Sequence, residues 1–199
     1  MRARLDALLV ARGLFATRAQ ARTAVIAGEV RIGDRISDKP GTVVDTEADI
    51  VVADGYPFDI EFWQANKALD NAALAVRDGG VIIIVSPCHE GLSVTHGEDI
   101  RRVGYRSKKE ILRLVEEGEF KHRVTAVHMI QVAEATIEKG VTCILVTDGI
   151  PPGVIREVNL EYAPDPQSAL AMAFRRVGAD ATVAVLNRAS ETLPLIQEH

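Results

Sequence analysis

Gly79-Gly80-Val81-Ile82-Ile83-Ile84-Val85, near the middle of the 199-residue chain, reads as a strand that begins after a glycine turn. The apolar run is continuous rather than alternating, so both of its faces are covered, as in a parallel sheet between two layers of helices. Thr142-Cys143-Ile144-Leu145-Val146-Thr147 and Thr182-Val183-Ala184-Val185-Leu186 repeat the pattern further on. Helical spacing is expected over residues 60–77, 108–117, 125–139 and 165–178, between these strands. Strands alternating with helices of that length imply right-handed crossovers and an α/β three-layer parallel-sheet domain. Ligands of such sheets bind beyond the carboxyl ends of the strands, which here are residues 86–91, 147–149 and 187–192.

Upstream of that strand, Gly55-Tyr56-Pro57-Phe58-Asp59-Ile60-Glu61-Phe62-Trp63-Gln64-Ala65-Asn66-Lys67 marks the start of the larger segment. Gly55 and Pro57 end the apolar run Ile50-Val51-Val52, and Asp59 is expected to cap the following helix. Gln64 and Lys67 lie three apart and share a helix face. An amide beside a cation, near the start of a helix that follows a strand, suits a carboxylate or phosphate. On spacing alone, a solvated polar face is the stronger reading of the pair.

Residues 1–52 have a different character. A short helix is expected over 4–12, stopped by Gly13, and a second from Thr17 as N-cap to about Ala27, stopped by Gly28. Val30-Arg31-Ile32 alternates as a strand, Gly33-Asp34 is a turn, and short strands are expected at Val43-Val44 and Ile50-Val51-Val52. Together these make a small α+β module preceding the larger domain, with the boundary expected between residues 52 and 53. Charge separates the two parts as well. Residues 1–39 hold eight basic side chains and four acidic ones, a balance of +4, whereas the remainder holds 15 basic and 24 acidic groups, or −9. A polyanion would therefore meet the N-terminal part.

Composition narrows the rest. With 47% hydrophobic and 26% charged residues, the chain is that of an ordinary globular protein, and its longest apolar run is far short of the roughly 20 residues that cross a bilayer. No secretory leader is expected, and the two cysteines, Cys88 and Cys143, fit small apolar residues in a reducing, cytoplasmic setting. No catalytic residue stands out and no metal site is expected. His89, His96, His122, His128 and His199 have no ligand spacing, and His89 and His96, the one pair on a strand-end loop, are expected to be exposed. Cys88, beside His89 and Glu90, is read as a buried thiol rather than a nucleophile.

Arg4-Leu5-Asp6, Leu9, Gly13, Thr17-Arg18, Ala21, Ile26, Gly28, Val30, Ile32 and Asp38-Lys39-Pro40-Gly41 together resemble the ribosomal-protein-S-four-type RNA-binding domain that leads the hemolysin-like ribosomal RNA methyltransferases. The resemblance implies contact with structured RNA, ribosomal RNA included, through Arg18 and Arg22, with Arg4, Arg31 and Arg35 nearby. Gly33-Asp34 departs from that family, which has Asn-Gly at the turn. No strand-linked glycine-rich loop for a methyl donor follows residue 52, so a methyltransferase body is not expected.

Beyond that point the chain resembles the C-terminal domain of the nickel-dependent lactate racemases. The likeness rests on Gly55-Tyr56-Pro57, Asp59-Ile60, Gln64 with Lys67, Gly79-Gly80-Val81-Ile82-Ile83, Cys88 with Glu90-Gly91, Glu119-Phe120-Lys121 leading to His128, and Glu191-Thr192-Leu193-Pro194. It implies that Gln64 and Lys67 approach a 2-hydroxy acid in a cleft closed by a second, catalytic domain. That other domain carries the family's nickel-pincer nucleotide and base histidines, so no cofactor is expected on this chain alone. Asp49-Ile50-Val51-Val52 is claimed by both resemblances, as the last strand of one module and the first of the other. A two-module protein holding half of a 2-hydroxy acid cleft, an RNA-binding protein whose α/β body is a structural or partner platform, and an inert fusion all fit this pattern.

Overall fold

The computed structural model describes residues 2–11, 14–32, 35–45 and 47–194, the side chains of residues 2, 3, 11, 32, 35 and 43–45 excepted. The chain divides into two compact units, the larger spanning Ala48–Thr192.

The smaller unit contains strand β1 (Arg2–Arg4), helices α1 (Leu5–Ala11) and α2 (Arg18–Ile26), and strands β2 (Arg31–Ile32), β3 (Arg35–Ile36) and β4 (Val43–Asp45). β2 pairs antiparallel with β3, and β4 with β1, a strand absent from the sequence reading. Thr17 caps α2 as expected, its Oγ1 accepting the Gln20 N–H at 3.3 Å. Gly28, at φ +75°, ends it. Leu5, Leu9, Ala21, Ala24, Val25 and Val30 form the core between the helices. The expected stop at Gly13 and the Gly33-Asp34 turn lie outside the described residues.

The larger unit adds β5 (Ala48–Asp54), α3 (Phe62–Ala73), β6 (Val76–Val85), α4 (Gly97–Val103), α5 (Lys108–Glu116) and α6 (Arg123–Ala133). A π turn (Glu134–Glu138) prolongs α6, then β7 (Thr142–Val146), α7 (Pro152–Glu157), β8 (Glu161–Ala163), α8 (Pro166–Val177) and β9 (Val183–Leu186) complete it. Five strands form one parallel sheet in the order β8-β7-β6-β5-β9. Side chains alternate across it. Ile50, Val81, Ile83, Ile144 and Val146 meet Ala169 and Ala173 of α8, while α3 and α6 pack together on the other side. The fold is therefore the three-layer α/β arrangement expected from the apolar runs. Ile82, Ile83 and Ile84 have no exposed surface, and each such side chain contributes roughly 1.5–3 kcal/mol on burial.

Three expectations change. The expected boundary after residue 52 falls inside β5, which pairs on both sides within the parallel sheet, so Ile50-Val51-Val52 lie in the larger unit. Helix α3 ends at Ala73 rather than 77, because Val76-Arg77-Asp78-Gly79-Gly80 extend β6 backwards through a register shift opposite Ala48 and Ile50. A Cβ at Gly80 would sit 2.7 Å from the Asp49 carbonyl oxygen, so the close pairing of β5 with β6 needs glycine there. The helix cap is Glu61, whose side chain makes no capping bond, rather than Asp59, whose carbonyl instead accepts the Cys88 N–H at 2.9 Å.

Loops at the carboxyl ends of the strands interlock. The Gly149 N–H and the Thr147 hydroxyl both donate to the Pro87 carbonyl, at 2.8 and 2.7 Å. A Cβ on Gly149 would lie 1.9 Å from the Cys88 carbonyl oxygen. Among the described residues, no helix is long and apolar enough to cross a membrane. Gly149→Ala should lower unfolding stability by roughly 3 kcal/mol, the upper range for overpacking. Gly153, in α7 with open space around it, is the control: Gly153→Ala should be neutral or slightly stabilising. Urea midpoints of the two variants check this, and equal midpoints would refute the interlock.

Candidate carboxylate-binding groove

Helix α3 starts directly beyond the carboxyl end of β5, and two neighbouring loops shape its first turn. The Phe62 and Trp63 N–H groups donate to the Gly91 and Leu92 carbonyls, both at 2.9 Å. Glu61 Oε2 accepts the Val94 N–H at 3.0 Å. Backbone donors that a helix start would otherwise offer to an anion are thus taken by protein. Any grip on an anion here rests on side chains.

Those side chains are Gln64 and Lys67. Lys67 Nζ donates to Gln64 Oε1 at 2.9 Å and lies 3.7 Å from the centre of the Phe58 ring. Gln64 is half-buried and Lys67 is exposed. Both line a groove of about 200 Å³ between α3 and α6, with Trp63, Asp70, Val127 and His128 among the walls. The pair is therefore neither in bulk water nor sealed in the core. Its amide oxygen is already engaged, which leaves the amide NH₂ and two ammonium hydrogens as donors for a ligand.

Behind the pair lies a cluster that spacing did not reveal. The Trp63 indole is stacked between His96, at 4.0 Å, and His128, at 4.4 Å. His128 Nε2 shares a 2.9 Å hydrogen bond with the Tyr105 hydroxyl, and His96 Nδ1 one of 3.0 Å with Thr125 Oγ1. His122 meets the edge of His96. Burial, reinforced by His96, pushes His128 down to about 3, so it is neutral at physiological pH. Burial and then His122 also lower His96. His89 is exposed, as expected, but His96, on the same loop, is half-buried and packs against Trp63.

Lower in the groove, Asp70 is raised to about 6 by burial, with Glu134 adding to the shift and a 3.4 Å hydrogen bond from Asn66 opposing it. Asn66 is 3% exposed, and its Oδ1 is buried without a partner. Cys88 is fully buried, its Sγ is 3.3 Å from Ser86 Oγ, and burial raises its pKa. It is a structural thiol in a strand-end loop. Among the described residues, no group of three or more His, Cys, Asp or Glu is placed to hold a metal. The groove offers an amide and an ammonium, and the near histidine nitrogens face Tyr105 and Thr125, so these residues do not fit a nickel nucleotide.

In the smaller unit, Arg4, Arg18 and Arg22 converge on the carboxylate of Asp6. Arg31 is exposed, and the Arg35 side chain lies outside those described.

A family model described as the lactate racemase C-terminal domain matches residues 43–190, and one described as the S4 domain matches residues 3–50. Among solved structures, the lactate racemase apoprotein from Thermoanaerobacterium thermosaccharolyticum superposes with a TM-score of 0.62 at 22% identity, over 79% of this chain and 37% of that one. A structural-genomics protein from Thermotoga maritima gives 0.54 at 23% identity, over 76% of this chain and 37% of that one. Both likenesses are of fold. The chain spans little more than a third of either protein. No curated protein sequence matches it.

Asp70 and His128 pull the pH dependence of stability in opposite directions. A histidine held neutral stabilises the fold above its unfolded pKa near 6.5, and that stability is lost as pH falls toward about 3. An acid raised to about 6 stabilises below its unfolded pKa near 4, and that stability is lost as pH rises through 6. Asp70→Asn abolishes the second slope and supplies an amide donor for Asn66 Oδ1. The stability difference between this variant and the parent should grow by about 2 kcal/mol in the variant's favour from pH 4 to pH 7. Urea titrations at both pH values measure it, and an unchanged difference contradicts the assignment.

Proposed function

The chain belongs to the lactate racemase C-terminal domain family and begins with an S4 domain, and on that premise we propose that it is a two-module protein. Its larger unit supplies one half of a cleft for a small 2-hydroxy acid, and its smaller unit binds structured RNA. The carrying observation is the Gln64–Lys67 pair, held 2.9 Å apart in a groove of about 200 Å³ between α3 and α6. The ammonium neutralises a carboxylate and the amide fixes its orientation. Trp63, wedged between His96 and His128, holds the first turn of α3 in place.

Proton transfer at the carbon bearing the hydroxyl belongs to a separate catalytic domain that carries the nickel-pincer nucleotide. Among the described residues, His128 is the histidine that lines the groove, and it is held neutral and bonded to Tyr105, a poor general base. The RNA reading is carried by Arg4, Arg18 and Arg22, whose side chains are about half exposed on the S4 domain.

Calorimetric titration with lactate tests the groove. The parent chain should give a saturable heat at millimolar lactate, and Lys67→Ala should bind about tenfold more weakly, the loss of one charged hydrogen bond. Identical heats for the two proteins would remove the clamp.

A further inference from the structure

Asp6 is fully buried at the start of α1, yet three arginines surround it. Arg4 Nε is 3.2 Å and Arg18 Nη2 3.1 Å from Oδ1, and Arg22 Nε is 4.0 Å from Oδ2. The three side chains remain 52%, 56% and 58% exposed. Burial raises the Asp6 pKa, but the hydrogen bonds and charges of Arg4 and Arg18 outweigh it and hold the carboxyl below its ordinary value.

The three arginines are not equivalent. Arg4 commits two nitrogens to Asp6, at 3.2 and 3.4 Å, and its guanidinium covers Gly41, where a Cβ would be 3.2 Å away. The same loop is bound through the backbone, with the Leu5 and Asp6 N–H groups donating to the Thr42 and Pro40 carbonyls. Arg4 therefore braces the loop. Arg18 and Arg22 lie one turn apart on α2 and line an open surface together with Ala19, Thr23 and Ile26. Among the described residues Arg18 gives Asp6 a single nitrogen, and its side chain is 56% exposed.

We propose that Asp6 is a positioning residue for RNA contact: it orients the Arg18 and Arg22 guanidinium groups side by side on α2 so that both meet one stretch of phosphate backbone. This rests on the RNA-binding reading of the S4 domain. A face built on charge alone would do better without Asp6, because its carboxylate cancels one of the cations that phosphate would meet. What the carboxylate contributes is order. Arginine side chains hold substantial rotamer entropy, and fixing them beforehand lowers the cost of binding.

The charge count and the positioning role predict opposite signs. Filter binding of the full-length chain to a structured ribosomal RNA fragment, across a salt series, separates them. Asp6→Asn makes the face more positive, yet it should weaken binding by about three- to tenfold, and Asp6→Glu should recover part of the loss. In a chain carrying Arg18→Gln and Arg22→Gln, adding Asp6→Asn should change affinity less than about twofold. Asp6→Asn binding as tightly as the parent, or more tightly, overturns the proposal. So does an equal loss in both backgrounds, which marks damage to the fold rather than lost positioning. A parent chain that binds no RNA at low salt overturns the RNA reading itself, and the proposal with it.

Discussion

Asp49 joins three strands at the amino-terminal edge of the parallel sheet. Its Oδ1 accepts the Arg77 Nε–H at 2.6 Å, and its Oδ2 accepts the Thr182 N–H and hydroxyl, both at 2.8 Å. The Asp49 N–H donates in return to Thr182 Oγ1 at 3.1 Å. These bonds connect β5 to the backward extension of β6 and to the residue before β9. The hydrogen bond from Arg77, with those from Thr182, lowers the Asp49 pKa to about 2, so the junction is charged throughout the physiological range. Because β5 is paired on both sides, its carboxyl end and the first turn of α3 inherit a fixed position.

That fixed position matters because the groove works with side chains. The neighbouring loops consume the backbone donors of the helix start, and in doing so they set the helix against the sheet. Gln64 and Lys67 then project from a rigid turn, backed by the stack of His96, Trp63 and His128. A neutral histidine pair suits this support, since neither ring brings a charge that competes with Lys67 for an anion. The cost of ordering a long lysine side chain is partly met before a ligand arrives, through its contacts with Gln64 and the Phe58 ring.

The layers are legible in the apolar runs at Val81–Val85 and Thr142–Val146, which are largely buried on both faces, whereas the equally apolar edge strand β9 leaves Val183 and Val185 exposed. The start of β6 was hidden. Arg77-Asp78-Gly79-Gly80 has the composition of a helix stop and turn, and only pairing with β5 draws it into the sheet. Strand β8, three residues long, and the short helices α4 and α7 carry too few residues for a period to show. Gln64 and Lys67 were visible because they share a helix turn. The histidines around Trp63 come from separate segments, and spacing cannot join residues that only the packing of α3, α4 and α6 brings together.

On the proposed function, the start of α3 in the larger unit presents the Gln64 amide and the Lys67 ammonium, already 2.9 Å apart, to a carboxylate. Following the Gln64 side-chain amide by ¹⁵N-edited NMR during a lactate titration tests this most directly. The account predicts a saturable shift of the Gln64 NH₂ resonances, together with the Trp63 indole N–H, while the amides of β6 stay still. A titration in which the Gln64 resonances do not move, in a protein whose spectrum remains folded, would contradict it.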